Sequence, residues 1–175
     1  LKYERSHEWL KMAGGNIWVA LMGKMLPQML LSMLMMSAYL IYIYGVMGFP
    51  HEGSWMVIFL LGFLSVLAAE GFGIFMFSLL PSMRMSMSLC SLWAVLSFSM
   101  VGTAFPVMAM DPALETLAWL FPLRHYFVIY QTSIFSGYSL TYCWVNIVCL
   151  IAFALLPLPL MGRLKKAMMT FKYMD

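Results

Sequence analysis

Few side chains in this sequence could do chemistry. His51, Glu52, Asp111 and His125 are the set that could converge as acid, base and ligand groups, the minimum that an acyl or glycosyl transfer within a membrane would need. Glu70 stands alone, since Gly53 to Met83 holds no other Asp, Glu, Lys or Arg. A carboxyl so placed is either a polar contact in a translocation path or at a subunit interface, or a structural hydrogen bond to a Ser or Tyr of a neighbouring helix. The 20 methionines offer soft thioether ligands, the ligand type a copper site uses, and Met83, Met85 and Met87 gather beside Arg84. Alternate spacing does not put three side chains on one helical face, however, and Met is also a flexible filler of apolar helices. Cys90, Cys143 and Cys149 show no CxxC spacing and read as small apolar residues, neither metal ligands nor a disulfide. No GxxxxGK[ST] loop occurs, so the chain carries no ATP-binding motif of that kind. No catalytic, cofactor-binding or metal residue is assigned, and the chain is not expected to be an enzyme.

The elements that would carry these residues are set by where charge is missing. Met25 to Pro50 and Met85 to Met110 are each 26 residues without Asp, Glu, Lys or Arg, and Tyr126 to Gly162 is 37. Each exceeds the ~20 residues that cross about 30 Å of hydrocarbon as a helix. With 63% apolar and 10% charged residues, a chain of 175 residues cannot hide its apolar side chains in a soluble core. The expected fold is therefore all-α: a polytopic membrane helix bundle of four spanning helices, with an amphipathic helix on the cytoplasmic side and two short re-entrant helices on the outer side. As one transmembrane domain over residues 1–175, it divides into a coupling or interfacial region at 1–24, spans at 25–47, 55–80, 85–104 and 140–162, outer-side helices at 105–138 and a tail at 163–175. Of the 10 Lys and Arg residues only Arg124 falls on the far side of that arrangement. The positive-inside rule then puts both ends of the segment in the cytoplasm, and the net charge of +3 reports orientation rather than affinity for nucleic acid.

Residues 1–13 form an amphipathic helix, with Tyr3, Trp9, Leu10 and Ala13 on one face and Glu4, Arg5, Glu8 and Lys11 opposite. Such a helix either lies in the headgroups or docks on a cytoplasmic partner. Gly14-Gly15 breaks it and Asn16 caps a second short helix that runs into the first span, where Pro27 predicts a bend. The Ala69/Gly73 spacing in the second span predicts close approach of another helix. Pro106, Pro112 and Pro122 cut the stretch from Phe105 to Tyr138 into pieces too short to span, with helices at Ala113 to Phe121 and Leu123 to Phe135 that dip into the outer leaflet against the bundle. The fourth span runs to Met161 despite Pro157 and Pro159. The chain opens on Leu1 in a charged segment, as a fragment of a longer protein would.

The order of these parts resembles the permease subunit of ABC-2 type transporters: an amphipathic helix, Gly23-Lys24-Met25-Leu26-Pro27 opening a span, two more spans, then GTAFPVMAMDP and FPLRHYFVIYQTSIFSG before a last span. The resemblance covers essentially the whole chain and matches the last four of the family's six spans. It implies that the first two lie upstream of Leu1, and that the charged opening segment is the coupling helix on an ATP-binding subunit. Glu4-Arg5 fits the family pattern there, while Ser6-His7 stands where Gly-Thr is usual.

The function so implied is that of a permease in an ATP-driven transporter, an exporter of the bacterial inner membrane, working by alternating access. ATP and Mg would sit in the partner subunit, and a second permease subunit, identical or similar, would complete the path. Tyr3, Trp9 and Leu10 would fill a groove on the ATPase, with Glu4, Arg5 and Glu8 setting the register. The competing classes are the transferase outlined above and a membrane subunit that anchors or senses without transporting.

Overall fold

The computed structural model describes residues 6–80, 83–102 and 109–170, and every regular element among them is helical. A short helix, α1 (Ser6–Met12), ends at Gly14 and Gly15, whose φ values of +65° and +74° are open to glycine at little cost. Asn16 then starts α2 (Ile17–Leu40): its side-chain oxygen accepts the backbone N–H of Trp18 at 3.0 Å. The separate helix expected before Lys24 is the first part of α2 itself. The helix continues through Pro27 and ends in a π-helical segment, Ile41–Val46.

Among the described residues three helices are long and apolar enough to cross a bilayer: Ile17–Val46 with 30 residues, Trp55–Leu79 with 25 and Leu140–Lys166 with 27. At ~1.5 Å per residue the first is roughly 45 Å long, so its ends reach past the hydrocarbon into the headgroups. The remaining expected span is α4 (Met83–Met100), following α3 (Trp55–Leu79). It has 18 residues, opens with Arg84 and carries five serines, which makes it shorter and more polar than the others. Ser91 and Ser99 donate back to the carbonyls of Met87 and Val95 in their own helix, which satisfies those hydroxyls without a neighbour.

Prolines set the starts of the short helices between α4 and α7. Asp111 caps α5 (Pro112–Ala118) by accepting the N–H of Ala113 at 2.9 Å, and Pro122 opens α6 (Pro122–Ile129), each proline standing where its missing N–H costs nothing. A π-helical segment, Tyr130–Phe135, extends α6 until Gly137 turns the chain at φ +73°. Pro106 lies outside the described residues. After a 3-10 turn at Leu140–Cys143, α7 (Trp144–Leu155) stops before Pro157. Pro157 and Pro159 divert the chain through a 3-10 turn, Leu158–Leu160, into α8 (Met161–Thr170). The segment expected to be a tail from residue 163 is therefore helical over most of its length.

The centre of the bundle is α3, which packs against α2, α4, α6 and α7. Its side chains Ile58, Leu61 and Ala68 form the core with Leu40 and Tyr44 of the first long helix and with Ile129, Cys143 and Leu150. Backbone meets backbone closely at Gly71. A methyl group added there would lie 2.7 Å from the Phe153 carbonyl oxygen and 2.9 Å from the Ala154 Cα. Ala68 and Gly71 thus make the small-residue seam against α7. The Ala69/Gly73 pair suggested by spacing does not: Ala69 is exposed and Gly73 has open space beside it.

Candidate functional site

Two features at one end of the bundle concentrate the unusual contacts. The first is a clasp. Leu10 of α1 is 3% exposed, packed with Ile17 and Ala20 of α2 and with Met161 and Leu164 of α8. Trp9, Ala13, Leu21 and Ile74 close around this cluster. The Lys24 ammonium sits 4.7 Å from the centre of the Trp9 ring, a cation–π contact that ties α1 to the first turns of the long helix. The greasy face read from the sequence is real, but the surface that covers Leu10 belongs to this chain. What α1 leaves outward is Glu8, Lys11 and Met12, the last 81% exposed. Tyr3, Glu4 and Arg5, expected on the same helix, lie outside the described residues, as does the side chain of His7.

The second feature is a crevice of about 140 Å³ directly above the clasp. Trp18, Met22, Met25 and Met29 of α2 form one wall, Ala154, Pro157 and Leu158 the opposite wall, and Leu67, Glu70 and Gly71 of α3 the back. Leu21, Ile74 and Met161 belong to both crevice and clasp, so the two share a layer of side chains. Glu70 is nine residues before the end of α3 at Leu79, which places it about 14 Å from that end at ~1.5 Å per residue. Both carboxyl oxygens are shielded from solvent and have no hydrogen-bond partner among the described residues. Among the described residues, the structural hydrogen bond to Ser or Tyr considered from the sequence is not made. On insertion scales an acidic residue at a helix centre costs about 2.5 to 3.5 kcal/mol, and no hydrogen bond from the described residues offsets it.

At the opposite end the expected polar set disperses. Asp111 is committed to capping α5. Arg124 and His125 are neighbours in α6, and consecutive helical residues point about 100° apart, so the two separate. Arg124 reaches the Val101 carbonyl at the end of α4, 3.4 Å away. His125 is 1% exposed, with Nδ1 at 2.9 Å from the Asn146 side-chain oxygen and Nε2 at 2.9 Å from the Trp119 carbonyl oxygen. His51 turns to the Gly53 carbonyl oxygen and stacks edge-on with Tyr44 and Trp55. No three of the His, Cys, Asp and Glu residues described come together as metal ligands would. Met85 and Met87 are exposed, the Met83 side chain lies outside the described residues, and all three cysteines are free thiols.

The contacts at this end hold the short helices onto the bundle. Tyr44 and Tyr130, each from a π-helical segment, share a hydrogen bond between their hydroxyls. The loop before α3 joins them, its Glu52 N–H donating to the Ile134 carbonyl at 2.9 Å. Neither the His125 bracket nor the tyrosine pair was read from the sequence. The signal available was only that α5 and α6 are too short to stand without packing against the spans.

Comparison with known proteins adds one finding: a family described as ABC-2 family transporter protein matches residues 2–162. No curated protein and no solved structure matches the chain.

Proposed function

Since the chain belongs to the ABC-2 family of transporter proteins, we propose that it is a permease segment driven by a separate ATP-binding subunit docked at the α1–α8 end. The family membership makes it a transmembrane component of a transporter, not itself catalytic. In the proposed arrangement α4 is a fourth span beside the three long apolar helices, and α5 and α6 form a re-entrant pair in the outer leaflet. Both ends of the segment then lie in the cytoplasm, with Lys11, Lys24, Arg84, Arg163, Lys165 and Lys166 on that side and Arg124 opposite. The setting is a bacterial inner membrane, the direction is export, and a second permease subunit supplies the other half of the path.

The observation that carries this reading is the clasp. A motor pressing on the outward face of α1, at Glu8, Lys11 and Met12, moves a helix whose inner face is locked by Leu10 to α2 and α8. Ile74 continues the contact into α3, the centre of the bundle. ATP and Mg bind in the partner, whose closure biases the spans between inward-open and outward-open states. Tyr3, Glu4 and Arg5, which precede α1 in the sequence, belong to the same docking surface in this proposal.

Purification of the protein in mild detergent should bring down an ATP-binding subunit, and a Met12→Cys variant should cross-link to it through a short bifunctional reagent. Recovery of the intact permease without an ATPase, or cross-links to the ATPase from the outer-side position Tyr142→Cys and not from Met12→Cys, would overturn the assignment.

A further inference from the structure

The crevice above the clasp is an apolar slot with an open side. Its volume is about 140 Å³, close to the ~150 Å³ that holds the six carbons of benzene, so a stretch of hydrocarbon chain of similar carbon count fits it. The walls are Leu, Met, Ile, Ala, Pro and Trp side chains, and Glu70 lines the back without its carboxyl oxygens, both of which are shielded. Trp18, Met22, Leu26 and Leu158, at the rim, are each more than two-fifths exposed, and they belong to two of the helices long enough to cross a bilayer. The slot therefore opens toward lipid tails. Its foot is positively charged. Lys165 follows the lining residue Met161 by four positions in α8, which puts it about 40° round the helix and ~6 Å further along. Leu164, about 60° the other way, turns into the clasp, so Lys165 stands on the crevice side, and it is exposed. Arg163, about 200° from Met161, is exposed on the far side of the same helix. The sequence holds no Asp or Glu from Trp9 to His51 or from Thr116 to Met174, so neither side wall brings an acid to this lysine.

We propose that the slot binds an anionic phospholipid of the leaflet nearest the clasp, with one acyl chain lying between α2 and α7 and the phosphate at Lys165, beside the Trp18 indole at headgroup level. A hydrocarbon tail asks nothing of the buried carboxyl, and only the headgroup meets the cation. The tail packs on Leu21, Ile74 and Met161, which also belong to the clasp, so a bound lipid braces the seat of α1. The site needs the spans but neither a motor nor a cargo, and so goes beyond the transport reading.

The test uses the purified protein in phosphatidylcholine nanodiscs doped with a phospholipid that carries a diazirine on one acyl chain and either a phosphatidylglycerol or a phosphatidylcholine headgroup, with labelled peptides mapped by mass spectrometry. The phosphatidylglycerol probe should label the Trp18 to Met29 and Ala154 to Met161 peptides about fivefold more than the phosphatidylcholine probe, the contribution of roughly one lysine at a membrane surface. Lys165→Gln, a change at an exposed position, should remove that preference, whereas Arg163→Gln, the same loss of charge on the opposite face, should keep most of it. Met25→Trp fills the slot and leaves Lys165 in place; it should clear both probes from these peptides, and the two Gln variants decide the matter if it does not fold. Equal labelling by the two probes, or label that survives in a folded Met25→Trp, would overturn the proposal. So would equal effects of the two Gln variants, which would mark a general surface charge, or displacement by soluble glycerol phosphate, which would give the lysine to a free phosphate. Probes that label equally while an ATPase still co-purifies remove this site alone, whereas a selective site without an ATPase removes the motor alone.

Discussion

Replacing Gly71 with alanine should drive α3 and α7 apart, while the same change two residues later should not. The added methyl at residue 71 would meet backbone, the Phe153 carbonyl oxygen at 2.7 Å and the Ala154 carbonyl oxygen at 2.8 Å, where ordinary contact starts at 3.4 Å. The difference of 3.4 and 2.7 requires the helices to separate by about 0.7 Å at this point, and no flexible side chain can absorb it. Overpacking of this kind costs about 1–3 kcal/mol, and here it works against the ~1 kcal/mol that Gly→Ala gains in helix propensity. Net destabilisation should remain, lowering the melting temperature by a few degrees for a chain of this size, at roughly 2–4 °C per kcal/mol. At Gly73 the added methyl meets nothing within 4 Å, so only the propensity gain is left and the melting temperature should hold or rise. Thermal unfolding in detergent, followed by the reaction of a thiol dye with Cys143, reports both variants, since that thiol is 2% exposed when folded. A Gly71→Ala protein as stable as the Gly73→Ala protein would refute the contact on which the α3–α7 seam depends.

Three further outcomes follow from the same geometry. Leu10→Asp should unseat α1 from α8, because it loses a buried leucine worth about 2–5 kcal/mol and adds a carboxylate; limited proteolysis at Lys11 should accelerate, whereas Met12→Asp should leave the helix seated. His125→Ala removes a ring held by two hydrogen bonds and should cost about 2–4 kcal/mol in thermal unfolding, with a cycle against Asn146→Ala showing coupling of about 1 kcal/mol. The Tyr44→Phe and Tyr130→Phe pair should be coupled by about 0.5–1.5 kcal/mol, and additive effects would separate the two π-helical segments energetically.

The long helices were legible because charge is absent over spans of bilayer length and because local punctuation is strong. Asn16 after two glycines, Pro112 and Pro122 each marked a helix start that the structure keeps. Partners were less legible than elements. The apolar face of α1 was visible in the spacing of Trp9 and Leu10, but amphipathicity does not say whether the covering surface is another protein or this chain's own α8. Choosing the α3 seam failed for a related reason: α3 is apolar all round, so the small-residue pattern at Ala69 and Gly73 had no polar face to set its rotation. Glu70 was singled out by its isolation, but the crevice beside it depends on α7 stopping at Pro157, a break the sequence reading carried through. The π-helical segments leave no compositional mark, since one extra residue per turn changes neither hydropathy nor charge.

The claim on which the account turns is that the α1–α8 end faces the motor side of the membrane. In a background with the native cysteines replaced, Met12→Cys and Lys165→Cys should resist a membrane-impermeant thiol reagent in intact cells and react in inside-out vesicles, with Tyr142→Cys showing the reverse. Reaction of Met12→Cys and Lys165→Cys from outside intact cells would contradict it.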